Sequence, residues 1–401
     1  MPSKLASKCL LPGIRIARIS TVPFFVVTQL KGQIETLGKS GATVMVVSSD
    51  GPELSALDGI FGVRCEPIEI QRSISPWQDM LSLLRLFFFF RREHIQIAHS
   101  TTPKAGLLTA VAAFLARVPV RLHTFTGQPW VVMHGIKRWF AYNSDKIIGK
   151  ISTRCYADSG SQRQFLLDQL VVARNRLAVL GAGSIAGVDI HRFDSKRFSS
   201  QNRTALRNSL GIPDDAPVLL FVGRITVDKG VRELLKAFTK VKEILSDVHL
   251  VFVGQFDADS GVAGSVSQGE IKGVSSVHVI GYSDCPEAYM AIADVLCLPS
   301  YREGFGTVII EAAAMGLPAI GTAIYGLSDA IVHGETGLLV ERGNVEELAG
   351  AIRLLLSDRI LLSEMATAAK QRAWSMFDAD IVNALIVEEY VDLLREKKVF
   401  S

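Results

Sequence analysis

Residues 300–340 read S-Y-R-E-G-F-G-T-V-I-I-E-A-A-A-M-G-L-P-A-I-G-T-A-I-Y-G-L-S-D-A-I-V-H-G-E-T-G-L-L-V. Two carboxylates, Glu303 and Glu311, stand eight apart. Between them Gly304, Phe305, Gly306 and Thr307 lead into a helix-forming run that reaches Met315. A small-residue loop that opens a helix offers free backbone N–H groups, and the helix dipole adds to their attraction for phosphate. One acid just before the loop and one inside the helix would flank a docked phosphate. They would be placed to accept hydrogen bonds from sugar and ribose hydroxyls. The stretch has the layout expected of a nucleotide-sugar site.

Outward from this stretch, short β-branched runs alternate with longer helical patterns, the mark of parallel α/β layering. The pattern predicts strands near 217–222, 249–253, 277–280, 294–298, 318–321 and 338–340. An earlier series falls near 14–19, 43–47, 64–69, 95–98, 119–124, 154–157 and 177–180. Two doubly wound sheets are expected, joined by a Gly-rich linker at 181–194 and a polar stretch running to about Leu210. The domains then span 1–190 and 191–376, with a final amphipathic helix in 377–401. Ligands of such sheets bind beyond the carboxyl ends of the strands. His99, His123 and Arg224 fall at or just after predicted strand ends, and Glu303 follows the 294–298 strand. These residues would share one edge of each sheet.

The length of 401 residues favours two domains. Hydrophobic residues make up 48% of the chain, and its mean hydropathy is +0.28. Even so, no apolar run reaches the roughly 18 residues a membrane-spanning helix needs. Lys4 and Lys8 precede only a short apolar stretch, so no signal peptide is expected. The five scattered cysteines, with no C-x-x-C, suit a reducing cytoplasm rather than a zinc site or a disulfide framework. The net charge of +3 conceals an asymmetry. Residues 1–200 carry 25 Lys and Arg against 13 Asp and Glu, and the remainder 18 against 27. A basic first half suits an anionic membrane surface. Nucleic acid is not expected as a partner, because no recognised binding motif is present. The segment P-W-Q-D-M-L-S-L-L-R-L-F-F-F-F-R-R (76–92) reads either as an interfacial helix with arginines at the headgroups or as a core helix capped by charges.

The E-x7-E spacing, set among G-F-G-T, E-A-A-A-M-G-L-P and H-G-E-T-G-L-L-V, resembles the signature of retaining glycosyltransferases with the GT-B fold, in particular glycosyltransferase family 4. F-V-G-R-I-T-V-D-K-G (221–230) matches that family's phosphate-contacting segment. H-S-T-T-P-K-A-G (99–106), R-L-H-T-F-T-G-Q-P-W (121–130) and A-D-S-G-S-Q-R (157–163) look like the first domain of bacterial members. Those members build O-antigen, capsule or other surface polysaccharides, including lipopolysaccharide. The resemblance covers nearly the whole chain. It implies two Rossmann-like domains facing each other across a cleft, with the last helix crossing back onto the first.

The same resemblance implies roles. Gly223, Arg224 and Lys229 would meet the donor diphosphate, with backbone N–H groups from Gly304, Phe305, Gly306 and Thr307. Glu303 would hold the donor sugar and Glu311 the ribose. His123 would place the reacting groups. His99 would face acceptor or sugar, and Lys104 an acceptor phosphate. No compelling carboxylate nucleophile for a double displacement is present, so front-side attack is implied. Residues 20–25, S-T-V-P-F-F, depart from the Gly-rich turn of many members. They read as an apolar wall for a lipid-linked acceptor or as core packing of Phe24 and Phe25. G-A-G-S-I-A-G (181–187) lacks the spacing and following helix of a dinucleotide loop. The D-A-D triplets at 257–259 and 378–380 are not expected to hold metal, and no metal or other cofactor is expected.

The expectation is a cytoplasmic enzyme peripherally associated with the inner face of the membrane. It would move a hexosyl or N-acetylhexosaminyl group from a nucleotide sugar, most simply a UDP-sugar, to a saccharide on undecaprenyl diphosphate. The rivals are a nucleotide-sugar epimerase and a non-catalytic protein that binds nucleotide sugar or scaffolds an assembly.

Overall fold

The computed structural model describes residues 9–71, 75–256 and 266–399. Lys4, Lys8 and the triplet at 257–259 lie outside the described residues. The chain divides into two compact units, Met1–Gly187 with Ala379–Ser401, and Val188–Asp378.

Among the described residues, unit 1 holds a seven-stranded parallel sheet. Its strands are β1 (Arg15–Ile19), β2 (Thr43–Ser48), β3 (Val63–Pro67), β4 (Ile97–Ser100), β5 (Val120–Phe125), β6 (Arg154–Ala157) and β7 (Leu177–Val179). They lie in the order β3-β2-β1-β4-β5-β6-β7. Helices α1 (Lys31–Lys39), α2 (Pro76–Arg92), α3 (Pro103–Leu115), α4 (Gly135–Ile151) and α5 (Gly160–Asp168) connect them. Leu86, Phe89 and Phe90 of α2 share one core cluster with Ala105 and Leu108 of α3 and Ala17 and Ile19 of β1. Helix α4 packs on the other side of α3.

Unit 2 opens with α6 (Ser200–Ser209). Among the described residues its parallel sheet has six strands: β8 (Val218–Val222), β9 (His249–Val253), β10 (Val277–Gly281), β11 (Val295–Leu298), β12 (Ala319–Thr322) and β13 (Gly337–Val340). Their order is β10-β9-β8-β11-β12-β13. Its longer helices include α7 (Val231–Lys242), α8 (Thr307–Met315), α9 (Val345–Ser357) and α10 (Arg359–Met376). The chain then returns to unit 1 as α11 (Ala379–Glu396), whose Ile386, Tyr390 and Leu394 enter a cluster with Ile34 and Leu37 of α1.

Each predicted strand has its counterpart, because parallel strands covered on both faces are written as near-continuous β-branched runs. The polar stretch before Leu210 is a correction: it is helix α6, not linker. Ser199 caps it by accepting the Asn202 N–H at 3.2 Å. No residue of the helix is buried, so no apolar stripe announced it. Residues 20–25 lead into a turn of α-helix at Pro23–Phe25 and a π-helical turn at Val26–Leu30. Phe25 packs against the core, whereas Phe24 is exposed. Helix α2 is neither wholly core nor wholly surface. Leu86, Phe89 and Phe90 are buried, while Trp77, Met80, Leu84 and Phe88 face outward. No described helix is long and apolar enough to cross a membrane. The triplet at 378–380 opens α11, with Asp380 in its first turn.

Candidate functional site

Strand order reverses between β8 and β11, so the loops leaving their carboxyl ends meet at one point. The β8 loop ends in a single turn of 3-10 helix, Val227–Lys229, before Gly230. Gly230 adopts a left-handed conformation (φ 70°), and a Cβ there would lie 2.0 Å from the carbonyl oxygen of Pro299. Only glycine allows that approach, which draws Lys229 to the β11 loop. Lys229 Nζ forms an ion pair with Glu303 Oε1. The Ser300 hydroxyl donates to the same oxygen at 2.9 Å.

Asp228 braces the two loops from beneath. The Tyr301 N–H donates to its carbonyl oxygen at 2.8 Å. Its carboxylate accepts from the Thr226 hydroxyl at 2.5 Å and pairs with Arg302 at 3.3 Å. Burial raises the Asp228 pKa, but the Thr226 hydrogen bond and the charges of Lys229, Arg302 and Arg224 outweigh it and hold the group below the usual carboxylate range. Sequence reading passed over Asp228, although it lies inside the quoted F-V-G-R-I-T-V-D-K-G segment.

Gly306 caps the start of α8 in a left-handed conformation, and the helix head presents its first N–H groups. Phe305 is buried and rests on Phe377 with ring centroids 5.2 Å apart, which pins the loop. Arg224 is exposed beyond the end of β8. Glu311 lies in the second turn of α8. The residue as a whole is half-buried, and burial of its carboxyl pushes its pKa up to about 7. The Arg192 charge opposes that rise and Glu287 adds to it. Arg192 itself is clamped on Glu287 by two hydrogen bonds of 3.1 and 3.0 Å. Unit 2 thus gathers a guanidinium, an ammonium, a helix N-terminus and two carboxyl groups, the chemistry needed to hold a diphosphate beside hydroxyls.

Residues 202–372 match the family described as "Glycosyl transferases group 1", and residues 26–183 match the "Glycosyl transferase 4-like domain". The capsular polysaccharide biosynthesis glycosyltransferase CapM of Staphylococcus aureus is 30% identical over 371 residues, covering 92% of this chain and 95% of CapM. The chain belongs to the group 1 glycosyltransferases. Among solved structures, a glycosyltransferase from Rickettsia africae ESF-5 superposes with a TM-score of 0.76 at 21% identity, covering 96% of this chain and 99% of the other. Anabaena HepE in complex with UDP and glucose gives 0.76 at 20% identity, covering 94% and 99%. These likenesses establish the GT-B type of fold.

In unit 1 of the glycosyltransferase, the two expected histidines stand on opposite faces of the sheet. His123, on β5, is paired in register with Ser100 of β4. Its Nδ1 lies 2.9 Å from the Ser100 hydroxyl, and its ring meets Phe125 edge-on at 4.6 Å. Gly106 of α3 makes room for it, since a Cβ there would sit 2.4 Å from His123 Cε1. The H-S-T-T-P-K-A-G and R-L-H-T-F-T-G motifs therefore meet at this ring. Burial pushes the His123 pKa down to about 3, so the imidazole is neutral.

His99 is a different case. It lies within β4 rather than beyond it, because that strand runs on to Ser100. Nδ1 meets the Tyr390 hydroxyl at 2.6 Å and Nε2 meets Thr124 Oγ1 at 2.8 Å. Arg18 donates to the Tyr390 oxygen at 3.0 Å and to Gln33 Oε1 at 3.0 Å. Burial, then the Arg18 charge, hold His99 well below its usual pKa. Both ring nitrogens are engaged inside unit 1. Lys104 is ion-paired with Asp79, tying α3 to α2.

Proposed function

We propose that this glycosyltransferase moves a hexosyl or N-acetylhexosaminyl group from a UDP-sugar, with retention, to a saccharide carried on a lipid diphosphate. The observation that carries this reading is the Lys229–Glu303 ion pair at the head of α8, with Arg224 leaving the adjacent strand. The HepE complex with UDP and glucose supports a uridine donor on this fold. The role of CapM in capsular polysaccharide biosynthesis supports a growing surface saccharide as acceptor.

The donor diphosphate settles on the helix head, where Arg224 and Lys229 balance its charge without a metal ion. It competes with Glu303 for the Lys229 ammonium and so releases that carboxylate to the hydroxyls of the donor sugar. Glu311 accepts from the ribose. Neutral His123 offers a hydrogen bond to the sugar. The acceptor hydroxyl then attacks the anomeric carbon from the leaving-group side. As the anomeric C–O bond to phosphate breaks and the new bond forms, the hydroxyl proton passes to the departing phosphate oxygen. The cations stabilise the charge that gathers on the diphosphate, which is where such sites gain most. A lipid-borne acceptor places the reaction at the inner face of the membrane.

The test is UDP release from a panel of UDP-sugars by purified protein in the presence of a chelator, without acceptor. Slow release by the wild type and none by Glu303→Ala, with an unchanged melting temperature, is the expected result. Release by Glu303→Ala equal to that of the wild type would overturn the assignment.

A further inference from the structure

Helix α4 has an apolar ridge that no core needs. Ile136 is 72% exposed, Trp139 59%, Phe140 53% and Ile147 44%. They recur at intervals of three, four and seven, the spacing of one helix face. The opposite face carries the buried residues Ile148 and Gly149. The exposed charges on α4 are Lys137, Arg138, Lys146 and Lys150, all positive. Its one acid, Asp145, is buried and accepts from Trp130 Nε1 at 2.7 Å. Helix α2 shows a second ridge with the same spacing: Trp77, Met80, Leu84 and Phe88, the last 64% exposed, beside exposed Arg85 and Arg91, while Arg92 pairs with Glu66 and Glu93. Helix α3 lies between α2 and α4 and packs against both.

We propose that α4, with α2 beside it, seats unit 1 on an anionic lipid bilayer, Trp139 and Phe140 entering the headgroup boundary and the cations meeting lipid phosphates. Charge complementarity selects this occupant. An apolar face flanked by Lys and Arg, with its acid turned inward, matches a negative lipid surface. Only the expectation of a lipid-borne acceptor rests on the proposed function. The surface itself is read from unit 1 alone.

The experiment is co-sedimentation of the full chain with vesicles of phosphatidylcholine, and of phosphatidylcholine mixed with phosphatidylglycerol. Binding to the mixed vesicles and little to phosphatidylcholine alone is expected. Lys137→Gln with Arg138→Gln should weaken binding by a factor on the order of 30, each cation near the surface being worth about fivefold. Trp139→Ser with Phe140→Ser should weaken it further at high salt, where the charges are screened. All these side chains are exposed, so the melting temperature and its rise with UDP should persist in every variant. Equal binding to both vesicle types, or variants that bind like wild type, would overturn the proposal, as would a dimer in solution that these substitutions dissociate. Vesicle binding without any UDP response would contradict the donor reading and leave this surface standing.

Discussion

Lys229 and Glu303 are 74 residues apart in the chain and ion-paired in space. The contact joins the loops of the two strands between which the unit 2 sheet reverses its order. In the proposed reading this carboxylate holds the ammonium until a diphosphate arrives. Both side chains are mostly buried, 17% and 12% exposed, so removing one partner leaves the other charge poorly solvated. Lys229→Ala should therefore cost about 1–3 kcal/mol of stability, while kcat/KM falls on the order of 10²- to 10³-fold. Thermal unfolding and steady-state kinetics on one preparation separate the two effects. A large loss of stability with unchanged kinetics would make the pair structural.

Glu311 carries a pH signature. Its folded pKa is raised to about 7, so the folded state holds this proton where the unfolded chain has released it. Stability from this group is present below the ordinary carboxylate pKa and is lost as pH rises toward about 7. Glu311→Gln should thus gain about 1–2 kcal/mol relative to wild type at pH 8 and nothing at pH 4. Donor affinity should move the other way. It weakens in the wild type as pH falls through about 7, because a protonated Glu311 accepts poorly from ribose. The glutamine variant should bind donor more weakly and lack that inflection. Titration calorimetry at several pH values reads both.

The two histidines should separate by phenotype. His99→Ala removes a hydrogen-bond partner from Tyr390 and from Thr124 inside the core and should cost about 2–4 kcal/mol. Turnover per folded molecule should stay near wild type. His123→Ala should lower kcat/KM at least tenfold beyond any loss of folded protein, about 1.4 kcal/mol of transition-state binding. Because His123 is neutral far below pH 7, it should add no inflection to the pH profile between about 5 and 8. Circular dichroism gives the folded fraction and initial rates give the remainder.

Gly230→Ala tests the geometry that brings Lys229 to Glu303. The added methyl would meet the Pro299 carbonyl, and the backbone there is left-handed. A loss of about 1–3 kcal/mol is expected from the strain alone. Donor affinity should fall as well, since the β8 loop must withdraw. Unchanged donor binding would mean that Lys229 is placed by something else.

Much of this was legible in the chain. The strands were, because β-branched runs bounded by turns are local signals. The placement of Arg224, Lys229 and Glu303 just past the carboxyl ends of β8 and β11 was, because the loops that carry them are contiguous motifs. Helix α6 was not, since a helix with no buried residue writes no apolar stripe. The surroundings of His99 were not, because Tyr390 lies 291 residues away and reaches it only through α11. Nor was the Lys104–Asp79 pair, set by the packing of α3 on α2. The α4 ridge went unseen for a related reason: apolar spacing on a helix looks the same whether the stripe meets core or solvent.

The most direct measurement is the melting temperature of the full chain with UDP, GDP or ADP added, on wild type and on Arg224→Ala with Lys229→Ala. A ligand that binds only the folded state raises the transition by mass action. The prediction is a rise with UDP alone in the wild type and none in the double variant. An equal rise in both proteins, or no rise with UDP in the wild type, would contradict a uridine-diphosphate site at the head of α8.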